Sequence, residues 1–180
     1  MSSNSDSIQW FVLRDLKRSN ASVKAWQQLS QEGFEVFTPM HWKISQRMGK
    51  KIRKYQPVIS DLLFVHSDRE RLDKIIQKTE TLQYRFLKNT HSAPMTVRES
   101  EMDRFINAVK SSESVNYYSP DEASDILKGK KIRIIGGLLD GYEGILKTTR
   151  GSRIKRLIIE LPQLVIAALE VEPEYIEIIE

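Results

Sequence analysis

Between Gly129 and Leu146 the chain reads Gly-Lys-Lys-Ile-Arg-Ile-Ile-Gly-Gly-Leu-Leu-Asp-Gly-Tyr-Glu-Gly-Ile-Leu, and few folds are compatible with that stretch. Ile132 and Ile134 alternate with Lys131 and Arg133, the period of a strand with one buried face. A second apolar run opens at Tyr142, after glycines at 136, 137 and 141. The chain must therefore reverse over a short span, with backbone angles or close approaches that a side chain forbids. Taken alone, the pattern fits a hairpin of any small β-barrel.

The remainder of the C-terminal sequence extends it. Lys131 to Ile135, Glu143 to Thr148, Arg156 to Leu161, Val165 to Val171 and Tyr175 to Ile179 predict five short strands separated by turn signals, the pattern of a small SH3-like barrel in residues 128–180. Glu170, Glu172, Glu174, Glu177 and Glu180 make its end acidic, which argues against this part gripping nucleic acid. Ahead of it, residues 111–127 are rich in Ser, Asp and Glu with little periodicity, and are expected to be a linker.

The first 110 residues have a different pattern. Residues 1–7 are polar and expected to be disordered; with no apolar signal region and no run long enough to span a membrane, the chain is expected to be cytoplasmic. Ile8 to Leu16 predicts a largely buried strand. Ser19 or Asn20 offers an N-cap for a helix carrying Val23, Trp26 and Leu29 and stopped by Gly33. A second strand runs from Phe34 to Met40, and a third covers Val58 to His66. Asp68 then caps a helix with Leu72, Ile75 and Ile76 on one face. Tyr84, Phe86 and Leu87 suggest another strand. Thr96 and Glu99 have capping-box spacing before a helix with Met102, Phe105, Ile106 and Val109. The class is α+β: residues 8–110 with a mostly antiparallel sheet and about three helices.

Charge is uneven along the chain. Residues 1–110 hold 19 Lys and Arg against 12 Asp and Glu, whereas residues 111–180 hold 9 against 12. The basic half is the candidate for a polyanion. Within it, Lys43, Arg47, Lys50, Lys51, Arg53 and Lys54 stand among Trp42, Ile44, Met48, Ile52 and Tyr55 with no acidic residue. That reads as a projecting basic hairpin, able to meet phosphates by charge and bases by stacking. A solvated hairpin without a ligand has the same sequence.

Nothing suggests an enzyme. There are no cysteines, which excludes disulfides and thiolate chemistry. His41, His66 and His91 lack metal-ligand spacing, no phosphate-cradling Gly loop or nucleophile motif occurs, and no cofactor is expected.

The Lys-Ile-Arg-Ile strand, Gly137, the apolar loop and Gly144 seven residues on resemble the KOW motif. Over its whole length the chain resembles the NusG family of transcription elongation factors, built from an NGN domain, a linker and a KOW domain. The resemblance rests on Trp10-Phe11-Val12, Pro39, the basic hairpin, Leu62-Leu63-Phe64-Val65, Ala93-Pro94 before Val97 and Glu101, and the glycines Gly137 and Gly144. Where the family usually carries Pro-Gly-Tyr or Pro-Asn-Tyr, this chain has Ser60-Asp61-Leu62. That departure is similar to the specialised paralogues of the RfaH and UpxY types.

The resemblance implies an operon-specific antiterminator, of surface-polysaccharide operons in the UpxY case, which binds the clamp helices of bacterial RNA polymerase and suppresses pausing or termination. Position by position, Leu62, Phe64, Phe86 and Leu87 match the polymerase-binding patch, with Arg14 and Arg85 as its cationic rim. The hairpin cations Lys43, Arg47, Lys50, Lys51, Arg53 and Lys54, together with Arg69 and Arg71, fall where family members approach upstream or non-template DNA, or nascent RNA. Arg133, Gly137, Leu139, Tyr142, Gly144 and Ile145 belong to the KOW motif and to the loop that meets a small-subunit ribosomal protein or Rho. Leu139 stands where an aromatic is usual. A monomer without membrane contact is expected. Two other readings stay open: a KOW-containing RNA-binding or ribosome-associated protein, and a general NusG-type factor coupling to Rho or the ribosome.

Overall fold

The computed structural model of the chain describes residues 7–17, 22–87 and 93–179. Expectations for residues 1–6, the caps Ser19 and Asn20, His91 and Glu180 lie outside these. The chain divides into two units, Met1–Glu99 and Ser100–Glu180. Every strand pairing among the described residues is antiparallel.

In the first unit, β1 (Gln9–Asp15) pairs with β5 (Leu62–Ser67) in the register Phe11 to Val65 and Leu13 to Leu63. β2 (Glu35–Phe37) flanks β5, and β6 (Leu82–Tyr84) and the short β7 (Thr96–Val97) pair with different parts of β1. Because side chains alternate, Phe11, Leu13, Leu63 and Val65 share one face. There they form a core with Ala25 and Leu29 of α1 (Ala25–Gln31) and Leu72 of α2 (Arg69–Lys78). Trp10, Val12, Leu62 and Phe64 alternate to the opposite face and are buried as well. Trp10 stacks on His66 with ring centroids 4.8 Å apart.

The helix starts show which side chains do the capping. Asp68 accepts from the Arg71 amide at 2.8 Å, as its position predicts. For α1 the acceptor is distant in sequence: the Asp15 carboxylate takes the Ala25 amide at 3.1 Å and the Lys17 amide at 2.9 Å. At its other end Gly33 adopts φ +79 and ends the helix, as expected. The capping box expected at Thr96 and Glu99 is replaced by a strand ending at Val97 and a helix, α3 (Glu99–Ser111), that begins at Glu99 itself.

Between β2 and β5 the chain forms a separate two-stranded hairpin, β3 (Met40–Arg47) and β4 (Lys50–Pro57). Its turn is only Met48-Gly49, with φ of 50 and 74, which matches the twist that tight hairpins need.

The second unit carries the buried stripe of α3 (Met102, Phe105, Ile106, Ala108 and Val109) and a six-stranded sheet. Five strands fall where the alternation places them: β9 (Lys131–Ile134), β10 (Glu143–Thr148), β11 (Lys155–Leu161), β12 (Val165–Val171) and β13 (Ile176–Ile178). Two expectations differ. The supposed linker contains β8 (Val115–Tyr118), paired with β12 from Tyr118 opposite Ile166 to Val115 opposite Leu169, and the short helix α4 (Ala123–Ile126). Val115, Tyr117 and Tyr118 are strand formers hidden in a serine-rich context, and they cover main-chain groups of β12 that would otherwise form an open edge. The barrel is also not closed: the order runs β13-β9-β10-β11-β12-β8, and no pairing among the described residues joins its ends.

Candidate functional site

The basic hairpin has two chemically different faces. Directly paired residues share a face, so Trp42, Tyr55, Ile44, Arg53 and Lys51 lie on one, and Lys43, Lys54, Arg47 and Lys50 on the other. The rings of Trp42 and Tyr55 are 5.0 Å apart, and the Arg53 guanidinium lies 4.3 Å over Trp42. All six cations are exposed, and none forms an ion pair among the described residues.

The two helix arginines grouped with them have other engagements. Arg71 lies 4.0 Å over the Phe34 ring and donates to the carbonyls of Glu32 and Gly33 at 3.2 and 3.3 Å, satisfying the end of α1. Arg69 pairs with Asp73 at 3.6 Å, one turn along α2.

The six residues matched to a polymerase patch separate into two groups. Leu62 and Phe64 share a face, as alternation requires, but they are 2% and 0% exposed and belong to the folded interior. Phe86 and Leu87 follow β6 and are 42% and 47% exposed. Arg14 and Arg85 converge on one oxygen of Asp61, at 3.2 and 3.3 Å. Together with Phe86, Tyr84, Gln83 and Ile76 these charges line an open groove of about 640 Å³. The Tyr84 hydroxyl donates to Asp73 at 2.7 Å, and burial together with that carboxylate pushes its ionisation well above the ordinary phenol range. Asp61, absent from the sequence-based set, is the residue that organises this surface. The signal was present: it stands in the Ser60-Asp61-Leu62 departure.

In the second unit, Tyr142, Gly144 and Ile145 line one groove with Arg104, Leu127 and Ile158. Gly144 is fixed by packing: a Cβ there would fall 2.1 Å from the Ile158 carbonyl oxygen. Gly137 and Leu139 line a different groove, beside Tyr175. Within the 3-10 turn Gly137–Leu139, Leu139 points inward and is buried, leaving its neighbour Leu138 as the exposed apolar residue of the turn. Arg133 donates to Glu143 at 2.6 and 3.0 Å, and this contact holds the Glu143 carboxyl below the usual range.

Among the described residues no group of three or more His, Asp or Glu is placed to hold a metal, and no helix is long and apolar enough to cross a membrane. A comparison with curated proteins finds no match. A family model described as transcription termination factor nusG matches residues 8–106, more than half of the chain. The matched span contains the first unit's sheet, the hairpin and the Asp61 cluster.

Proposed function

The chain belongs to the NusG family of transcription factors, and from that premise we propose that it is a non-enzymatic antiterminator acting on elongating bacterial RNA polymerase. The observation that carries the reading is the Asp61 cluster. Two arginines held at fixed positions by one carboxylate stand beside the exposed ring of Phe86, so an apolar contact is framed by pre-oriented cations. Such a surface suits a partner helix with an apolar stripe and acidic flanks, the character of the polymerase clamp helices in this family.

In this reading Phe86, Leu87, Arg14 and Arg85 meet the polymerase. Leu62 and Phe64 act from beneath, as the packed support of the strand that Asp61 immediately precedes. The hairpin cations reach the nucleic acid of the elongation complex. The second unit serves as the KOW domain, with Leu138 as the accessible loop residue for a ribosomal or Rho partner and Tyr142 half-buried beside it. Specialisation to particular operons, those for surface polysaccharides among them, is favoured by Asp61. An acidic residue that draws both rim arginines onto itself gives this surface a different charge pattern from one with Gly or Asn at that position.

Single-round transcription with bacterial polymerase on a long leader template tests this. Wild-type protein is expected to shorten pauses or raise read-through, and the Phe86→Asp, Leu87→Asp double variant to do neither. If wild-type protein leaves elongation unchanged while binding structured RNA by itself, the RNA-binding or ribosome-associated reading replaces this one.

A further inference from the structure

We propose that the open edge of β13 is a docking site for an extended peptide segment that alternates aliphatic and basic residues, which joins the second sheet as one further antiparallel strand. None of the residues assigned above to the polymerase or to nucleic acid belongs to this edge.

The main chain of β13 is half used. The strand ends the order of its sheet, so one of its sides is paired and the other is not. The Tyr175 carbonyl accepts from the Ile135 amide and the Ile179 amide donates to the Lys131 carbonyl, both toward β9. Polar groups alternate in direction along an antiparallel strand, so those of Ile176 and Ile178 point away from β9. The Ile176 amide turns back to the Pro173 carbonyl. The Ile176 carbonyl and the amide and carbonyl of Ile178 have no protein partner among the described residues, which leaves one donor and two acceptors in line for another strand.

The side chains carry the same message. Ile176 lies opposite Ile134 and Ile178 opposite Ile132, so both turn to the core side of the sheet. Ile132 and Ile134 are 0% and 2% exposed, whereas Ile178 is 56% exposed. The difference is a neighbour: β9 has a strand on either side, and β13 has one on a single side. A further strand would remove that apolar surface from water.

Charge selects the occupant. On its paired side β13 already receives Lys131-Ile132-Arg133-Ile134, which sets aliphatic against aliphatic and places the Arg133 guanidinium 3.8 Å from the Glu177 carboxylate. Just ahead of the strand, Glu172 and Glu174 are exposed and form no ion pair among the described residues. A second segment of the same pattern meets isoleucines on one face and carboxylates on the other. Main-chain bonds then supply the affinity and the alternating side chains the selectivity. A second copy of β13 is the poorer occupant. The antiparallel register that would set Ile176 against Ile178 of the copy also sets Glu177 against its own counterpart, with like charges directly opposite.

The test is an NMR titration of the whole isotope-labelled protein with the capped peptide Gly-Lys-Lys-Ile-Arg-Ile-Ile, a copy of residues 129–135. Saturable shifts centred on residues 176–178 are expected, with slowed amide exchange at Ile178. The same peptide with Glu at its three basic positions should bind about tenfold or more weakly. Ile178→Ser should weaken binding of the basic peptide about fivefold. Glu177→Lys should reverse the preference toward the Glu peptide; its side chain is exposed, so this variant reads the edge even where Ile178→Ser weakens the fold. A basic peptide N-methylated at alternate residues, in the frame that blocks its hydrogen bonds, should not bind.

No saturable binding, shifts that map away from β13, an unchanged preference in Glu177→Lys, or retained binding of the N-methylated peptide overturns the proposal. Sedimentation of the protein alone separates the other occupant: a concentration-dependent dimer abolished by Ile178→Ser assigns the edge to a second copy and overturns the peptide site.

Discussion

Arg104 and Tyr142 hold one another by two contacts, and a third ties Arg104 to the neighbouring Gly141. The guanidinium of Arg104 sits 4.8 Å over the Tyr142 ring and donates to the Gly141 carbonyl, while the Tyr142 hydroxyl donates back to the main-chain carbonyl of Arg104 at 3.0 Å. Helix α3 and the loop before β10 are thereby joined within the second unit. Tyr142→Phe should cost about 0.5–1.5 kcal/mol by removing one hydrogen bond. Arg104→Ala should cost a similar amount by removing the cation–π interaction and the donor. Because Tyr142→Phe removes only the hydroxyl bond to the Arg104 main chain and Arg104→Ala removes only the side-chain contacts, urea denaturation of the double variant should show about the sum of the single effects.

Aspartate substitutions separate interior from surface on the first unit. Leu62→Asp or Phe64→Asp places an unpaired charge in a fully buried position, at a cost of about 3–5 kcal/mol against a total stability of about 5–15 kcal/mol. Phe86→Asp and Leu87→Asp lie in half-exposed positions, where the loss of partial burial should cost about 1 kcal/mol, well below the interior pair. Circular dichroism melts should therefore show a large loss for the first two variants and a clearly smaller one for the second two. Failure of a Leu62 or Phe64 variant in transcription then reports folding, and only the Phe86 and Leu87 variants report the surface.

The hairpin turn contains a correctable strain. Met48 holds a φ of 50, a left-handed conformation that costs an ordinary L residue roughly 1 kcal/mol, and Asn tolerates it better. Met48→Asn should slow amide exchange at Ser45 and Ile52 about two- to fivefold, matching a local gain of about 0.5–1 kcal/mol. Faster exchange in the variant would show that the Met48 side chain, not the turn geometry, stabilises the hairpin.

Glu143 gives a pH-dependent signal. Its hydrogen bond and charge contact with Arg133 favour the ionised form, so its folded-state value lies below that of the unfolded chain. The stabilising contribution is present at neutral pH and is lost as pH falls through that lowered folded value. Carboxyl-carbon NMR titration should find Glu143 ionising at lower pH than the other exposed glutamates. Arg133→Gln should move it back toward the ordinary range.

Local rules made much of this molecule legible. Alternation located β9 to β13, Asp68 declared its helix start, and the uninterrupted run of cations marked the hairpin. What escaped were relationships set by distant parts of the chain. Asp15 caps α1 from ten residues upstream, and no local spacing rule anticipates that. Alternation correctly placed Leu62 and Phe64 together, but β5 is buried on both faces, so a shared face carried no information about exposure. In the 139 loop a single 3-10 turn decides which of two adjacent leucines faces solvent, a choice below the resolution of a strand-and-turn pattern. Arg71 looked like one more cation of a basic surface because its partners are main-chain carbonyls, which leave no trace in composition.

Strand β8 bears on modularity. Residues 115–118 form the outer strand of the second sheet although they precede the point where composition would join two exchangeable parts. A graft or truncation starting at Lys128 would remove that strand and leave the Ala- and Val-rich β12 with an uncovered, association-prone margin. The unit that can be exchanged between relatives, or cut free by a protease without exposing β12, therefore has to begin upstream of Val115.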